Sequence, residues 1–217
     1  MKEKLIISLL FLIVTCGFKL YAAESNDDLT EEQKAILRER VVQKTEEFFN
    51  SLSKMVDNSL TPNSRSHHQK QILNLFMGKG GPYSVTNDSG EIENSDGVKM
   101  WTSSARTNIK SKQLLRKYLK RLYDPETKKS KLNYTEIRIV SADAVRVDNI
   151  TREGDHYVCI AYFYQDFYGI RDGRVIFKDR TCKKIKCYIT AIDVPGVGKV
   201  FDAKLGDITV VSTQPIY

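Results

Sequence analysis

The feature that most narrows the fold is the long strand signal between residues 157 and 191. Residues 157–168 are apolar and aromatic at both parities, as a central strand covered on both faces requires. Gly169-Ile170-Arg171-Asp172-Gly173 then turns the chain back. Beyond the turn Val175, Phe177, Ile185, Cys187, Ile189 and Ala191 share one parity, while Lys178, Arg180, Lys184 and Lys186 hold the other. Side chains alternate between the faces of a strand, so this one has a buried side and a wet side. Upstream, Ile137, Ile139, Val145 and Val147 alternate with Arg138, Arg146 and Asp148, and residues 149–155 turn around Gly154. Downstream, Pro195-Gly196-Val197-Gly198 makes the last turn. In the final strand Phe201, Ala203 and Leu205 share one parity, yet Ile208 and Val210 continue on the other. A one-residue bulge at Gly206 would return all five to one face. Four long antiparallel strands, bent at Leu205-Gly206-Asp207-Ile208, make a curved sheet.

Helical signals precede the strands. Thr30-Glu31-Glu32-Gln33 matches a capping box, in which the threonine oxygen and the glutamine side chain satisfy free backbone N–H groups. It opens a helix over 31–56 with Leu37, Val41, Phe48, Leu52 and Met55 as one apolar stripe, beside Arg38, Glu39, Lys44 and Glu46. Asn58-Ser59-Leu60-Thr61-Pro62 ends it, and a shorter helix over 66–77 carries Ile72, Leu73, Leu75 and Phe76. Residues 78–97, rich in Gly, Asn, Asp and Ser, read as a long surface loop of the kind that often carries function. Residues 98–101 suggest a short edge strand. A third helix over 111–123 directs Leu114, Leu115, Tyr118, Leu119 and Leu122 inward, and Lys112, Arg116, Lys117, Lys120 and Arg121 outward. The expected class is α+β: three N-terminal helices packed on a curved antiparallel sheet of four long strands, plus an edge strand.

The N-terminus reads as an export signal over 1–23, followed by a polar tether over 24–30 and a single domain over 31–217. Lys2 and Lys4 lead an apolar run over 5–18, and Ala22 and Ala23 precede Glu24 as a small-residue cleavage site. The run is shorter than the ~20 residues a spanning helix needs, and no other segment reaches that length. Cys16 also resembles the lipidated cysteine of a bacterial lipoprotein signal. Thr15, however, stands where such signals carry Gly, Ala or Ser, so a membrane enters only with lipidation at Cys16. The expected location is the periplasm, the cell surface or the medium. The net charge of +7 over 217 residues loses three lysines and one glutamate with the signal, leaving +5. That excess is too modest to argue for nucleic acid as a partner. Cys159, Cys182 and Cys187 remain. Cys182 and Cys187 on one strand are ~16 Å apart, too far to bridge. Cys159 with Cys187, or three reduced thiols packed as small apolar groups, are the alternatives.

The order of elements resembles the cystatin-like cone of the nuclear-transport-factor-2-like superfamily over residues 31–213. The chain is also similar to exported, mostly uncharacterised proteins of gut-type Bacteroidetes. The motifs that carry this are Tyr118-Leu119-Lys120-Arg121-Leu122, Arg171-Asp172-Gly173-Arg174 and Leu205-Gly206-Asp207-Ile208. These are motifs of fold. The resemblance implies a cone that hosts isomerases, dehydratases, adaptors and binding modules alike, and a homodimer that pairs through the sheet.

Candidate chemistry is sparse. His67, His68 and His156 come with no HExxH and no paired CxxC, so no metal is expected. Gly78-Lys79-Gly80-Gly81 lacks phosphate-loop spacing, there is no GxSxG elbow, and no cofactor is expected. Enzymes of the cone use an acid or base at its mouth, which singles out Asp166 and Asp193 as catalytic candidates. A carboxylate among aromatics has a raised pKa and can shuttle protons. Tyr162, Tyr164, Tyr168, Tyr188 and Trp101 are candidates for a ligand or interface surface, because tyrosine combines apolar area with a hydrogen-bonding tip. The alternative for that face is a cover formed by the 78–97 loop. The expectation is an exported, non-catalytic module that binds a partner protein or small ligand through the sheet and this loop. The alternative is a cofactor-free isomerase or dehydratase using a carboxylate in the cone.

Overall fold

The computed structural model describes residues 29–107, 110–196 and 198–216, so the expected signal, Cys16 and nearly all of the tether lie outside the described residues. The helices are α1 (Glu31–Val56), α2 (Pro62–Leu75) and α3 (Leu115–Leu122), with a 3-10 turn at Met77–Gly80. The strands are β1 (Tyr83–Thr86), β2 (Ile92–Ser95), β3 (Lys99–Ser103), β4 (Lys110–Leu114), β5 (Glu136–Ser141), β6 (Arg146–Val147) and β7 (Thr151–Glu153). The three long ones are β8 (His156–Arg171), β9 (Arg174–Val194) and β10 (Gly198–Pro215).

The capping box of α1 is formed, with Thr30 Oγ1 accepting from the Gln33 N–H at 3.2 Å and Gln33 Oε1 from the Thr30 N–H at 2.8 Å. All five residues of the apolar stripe are buried. Two helix starts differ from expectation. Helix α2 begins at Pro62 rather than 66, because Thr61 caps it through the Ser64 N–H and Pro62 fits the first turn, where no N–H is needed. The segment read as a stop for α1 is thus the start of α2. Helix α3 begins at Leu115 rather than 111, because 110–114 pair antiparallel with β3 from Lys99↔Leu114 to Ser103↔Lys110. Its buried face, Leu115, Tyr118, Leu119 and Leu122, is otherwise as read.

The main sheet runs β4-β3-β10-β9-β8-β5, and β6 and β7 continue β5 along the same edge of β8. It is antiparallel except where β3 meets β10 in parallel at Met100↔Ile208. The expected meander is present with three long strands rather than four, the first being broken into β5, β6 and β7, and the strand expected at the edge, β3, lies inside β4. The expected bulge is present too. The register passes from Leu205↔Cys187 to Ile208↔Ile185, one extra residue on β10, and both Leu205 and Ile208 are fully buried. Val175, expected inside, is 51% exposed. A second irregularity explains it: Ile170↔Val175 is followed by Gly169↔Phe177, so the parity of β9 flips before Phe177. Asp172 and Gly173, both at positive φ, make the two-residue turn between β8 and β9.

Residues 78–97 are not an irregular loop. They hold the 3-10 turn and a β1–β2 hairpin in register from Tyr83↔Ser95 to Thr86↔Ile92. The hairpin docks on the β7–β8 turn, where Asp88 accepts from the Gly154 N–H at 2.9 Å. Gly154 lies at φ +60°, and a Cβ there would sit 2.3 Å from the Thr86 carbonyl, so this approach needs glycine. Helix α1 packs on the inner face of the sheet through Phe49 and Phe163, ring centroids 4.5 Å apart, and on Phe76 through Phe48 at 5.3 Å. Cys159, Cys182 and Cys187 are free and buried. Cys159 and Cys187 face each other in the ladder, packed as apolar groups.

The bulge gives a stability prediction. A Cβ at Gly206 would meet the Tyr188 ring at 2.4 Å and the Lys186 carbonyl at 2.9 Å. Gly206→Ala is expected to cost about 1–3 kcal/mol in denaturant unfolding. An unchanged midpoint would show that the bulge does not hold this close approach.

Candidate functional site

On β9 the residues between Phe177 and Ile185 at the inward parity are Asp179, Thr181 and Lys183. They are 2%, 6% and 3% exposed. Their partners across the ladder on β8 are Phe167, Gln165 and Phe163. A polar band thus crosses the inner face of the sheet beyond the end of the aliphatic core. Over it lies a partly open cavity of about 150 Å³, lined by Tyr118, Arg121 and Leu122 of α3, Gln113 of β4, Thr102 and Ser103 of β3, and Leu132. Phe167 and Phe177, in edge contact at 5.8 Å, give it an aromatic wall.

Lys183 dominates the electrostatics. Its Nζ donates to Gln165 Oε1 at 2.9 Å, and it makes no ion pair among the described residues. Burial without a counter-charge pushes its pKa down to about 7. Tyr118 reaches the same glutamine, and burial pushes its phenol up to about 12. Asp179 accepts from the Ala105 N–H on Oδ2 at 2.9 Å, while its buried Oδ1 has no partner. Ser103 and Thr213 share a hydrogen bond that ties β3 to β10 at the rim. The cavity is therefore lined by residues that carry an amine titrating near neutrality, an amide, hydroxyls and a carboxylate, set among apolar walls. No metal-ligand cluster occurs among the described residues.

None of the candidate catalytic or ligand residues read from the sequence lines this cavity. Asp166 faces the other side of β8 from Gln165. It is 5% exposed, and Arg180 holds both its oxygens, Nε to Oδ1 at 2.7 Å and Nη2 to Oδ2 at 2.8 Å. Asp193 is exposed near the end of β9, opposite Lys199. Tyr162, Tyr164 and Tyr168 share the outer face with Asp166, and Tyr162 is 36% exposed. Tyr188 is buried on that same face, against Tyr83 of the hairpin at 6.0 Å, with the Lys186 ammonium 5.2 Å from its ring. Burial pushes its phenol up. Trp101 is partly exposed on β3 with Lys112 Nζ 4.7 Å over its ring. The 78–97 segment thus covers Tyr188 and leaves Tyr162 open.

The sequence reading missed Asp179, Thr181 and Lys183 although the signal was there. Phe177 and Ile185 set the inward parity, and these three share it. Their polarity led them to be passed over. Comparison of the chain with protein-family models, with curated proteins and with solved structures yields no match.

Lys183 carries a pH-dependent stability prediction. Its folded pKa lies below its unfolded one, so between about 7 and 10.5 the unfolded chain holds a proton that the folded chain has released. Stability from this group is therefore present above pH 10.5 and lost as pH falls through about 7. Relative to Lys183→Met, the native chain should gain stability between pH 7 and pH 10 in urea unfolding. A constant difference would show that Lys183 titrates normally.

Proposed function

We propose that the chain is an exported, non-catalytic binding module of the nuclear-transport-factor-2-like kind. In this reading it holds a small ligand in the cavity between α3 and the inner face of β8 and β9. The observation that carries the proposal is Lys183, a lysine buried at a cavity wall with no carboxylate beside it. Burying an ammonium costs several kcal/mol, and a methionine would fill the same space without that cost. A ligand atom that accepts from the amine offsets the penalty. By contrast, Asp166 and Arg180 on the outer face satisfy one another and need nothing further.

Three helices packed on a mostly antiparallel sheet with a bulged last strand support the cone reading. The basic start, apolar run and small-residue site over 1–23 support export, with a membrane tether only if Cys16 is lipidated. Tyr162, Tyr164 and Tyr168 on the outer face support pairing of two copies through their sheets.

A second reading has one observation in its favour. The cavity holds a carboxylate, Asp179, together with an amine that is half neutral near pH 7, the equipment of a cofactor-free isomerase or dehydratase. Asp179 would then take the role that the sequence suggested for Asp166 or Asp193.

Small-fragment screening by amide NMR tests the binding site. Shifts should gather on Thr102, Tyr118, Gln165, Thr181 and Lys183, and Thr181→Phe, which fills the cavity, should abolish them while the rest of the spectrum persists. Shifts confined to Tyr162, Tyr164 and Tyr168 would refute the cavity as the site. Processing is checked by intact mass: a mature start at Ala23 or Glu24 is expected, a lipid-modified Cys16 would show the tethered form, and an uncut start at Met1 would refute export.

A further inference from the structure

We infer that the ligand of this cavity is a small zwitterion of free amino-acid size, bound with its carboxylate at Lys183 and its ammonium at Asp179. The inference rests on the cavity being a binding site and adds the chemical class of what enters it.

Two unmatched groups of opposite kind line one cavity. Lys183 has three N–H donors and gives one to Gln165. Asp179 has an acceptor oxygen, buried and without a partner. The two do not satisfy each other, because no ion pair joins them. They stand four residues apart on one face of β9, so their Cα atoms are about 13 Å apart. Thr181 lies between them with a hydroxyl on the cavity surface.

That arrangement selects by charge. A simple carboxylic acid would pair with Lys183 but leave Asp179 bare and bring a like charge into the same low-dielectric space. A simple amine would do the reverse. A neutral sugar could hydrogen-bond to both but would answer neither charge. One molecule carrying both charges completes both groups at once. The size fits this class. A water needs ~10–15 Å³, so about 150 Å³ has room for a molecule of roughly ten non-hydrogen atoms. Phe167, Phe177, Leu122 and Leu132 supply apolar walls for a side chain.

Calorimetry on the intact folded chain tests this with the free natural L-amino acids, followed by the N-acetyl and the amide derivatives of whichever bind. A free amino acid should bind, and either blocking group should weaken it at least tenfold. Asp179→Asn and Lys183→Met should each weaken the free form by a similar factor. Lys183→Gln carries the same test if the methionine variant does not fold. The inference is overturned if no free amino acid binds at millimolar concentration, or if the blocked forms bind as well as the free ones. If neutral fragments still shift Gln165 and Thr181 in that case, the cavity remains a binding site and only the zwitterion is wrong. If nothing shifts those residues, both readings fall.

Discussion

The ladder between β8 and β9 is the constraint on which the rest of the molecule depends. It runs from Tyr157↔Ile189 to Arg171↔Arg174 and assigns nearly every side chain of both strands to a face. Inside it stacks Cys159 on Cys187, Phe163 on Lys183, Gln165 on Thr181 and Phe167 on Asp179. Outside it stacks Val158 on Tyr188, Tyr162 on Lys184 and Asp166 on Arg180. A slip of one residue would exchange the two sets, bringing lysines under α1 and the core into water. The cavity is thus a product of register before it is a product of any single residue.

The inner face divides along its length. Where α1 lies across it, the band is apolar and packed, with Phe163, Ile185 and Leu205 at or near zero exposure. Towards the β8–β9 turn the covering element is the eight-residue α3, and the short helix roofs the sheet without filling the space beneath. Polar residues appear where packing ends. Their hydrogen bonds are mostly internal, through Gln165 and Ala105, and Asp179 Oδ1 is left buried without a partner. A partly satisfied network in a low dielectric is costly.

Much of the fold was legible in the sequence because its signals are local. The Thr30 capping box, the stripe of α1 and the parity jump at Gly206 each depend on neighbours a few residues away, and each appears as read. What was not legible depends on partners far along the chain. Residues 110–114 have an amphipathic helical pattern but are drawn into a strand by β3. Residues 83–95 look like a loop and become a hairpin because the β7–β8 turn receives them. The carboxylates chosen from the sequence failed to meet the cavity for a related reason. Asp166 has a partner fourteen residues away, invisible until the ladder is in register. The cavity's own residues were within reach of the parity rule, which applies to polar side chains as firmly as to apolar ones.

The bulge at Gly206 has a consequence in time as well as in shape. The extra residue frees Asp207 from the antiparallel ladder, and its carboxylate accepts the Lys99 N–H at 2.7 Å. This bond, the Met100↔Ile208 pairing and the Ser103–Thr213 contact fasten β3, and β4 with it, to the last strand of the chain. All three span more than a hundred residues of sequence, so the wall they build closes long loops. During synthesis the helices and β8–β9 can pair before β10 exists, but the β3–β4 pair has no strand of the meander to dock on until then. The cavity is therefore among the later parts of the molecule to assemble, and its integrity reports that β10 is in place.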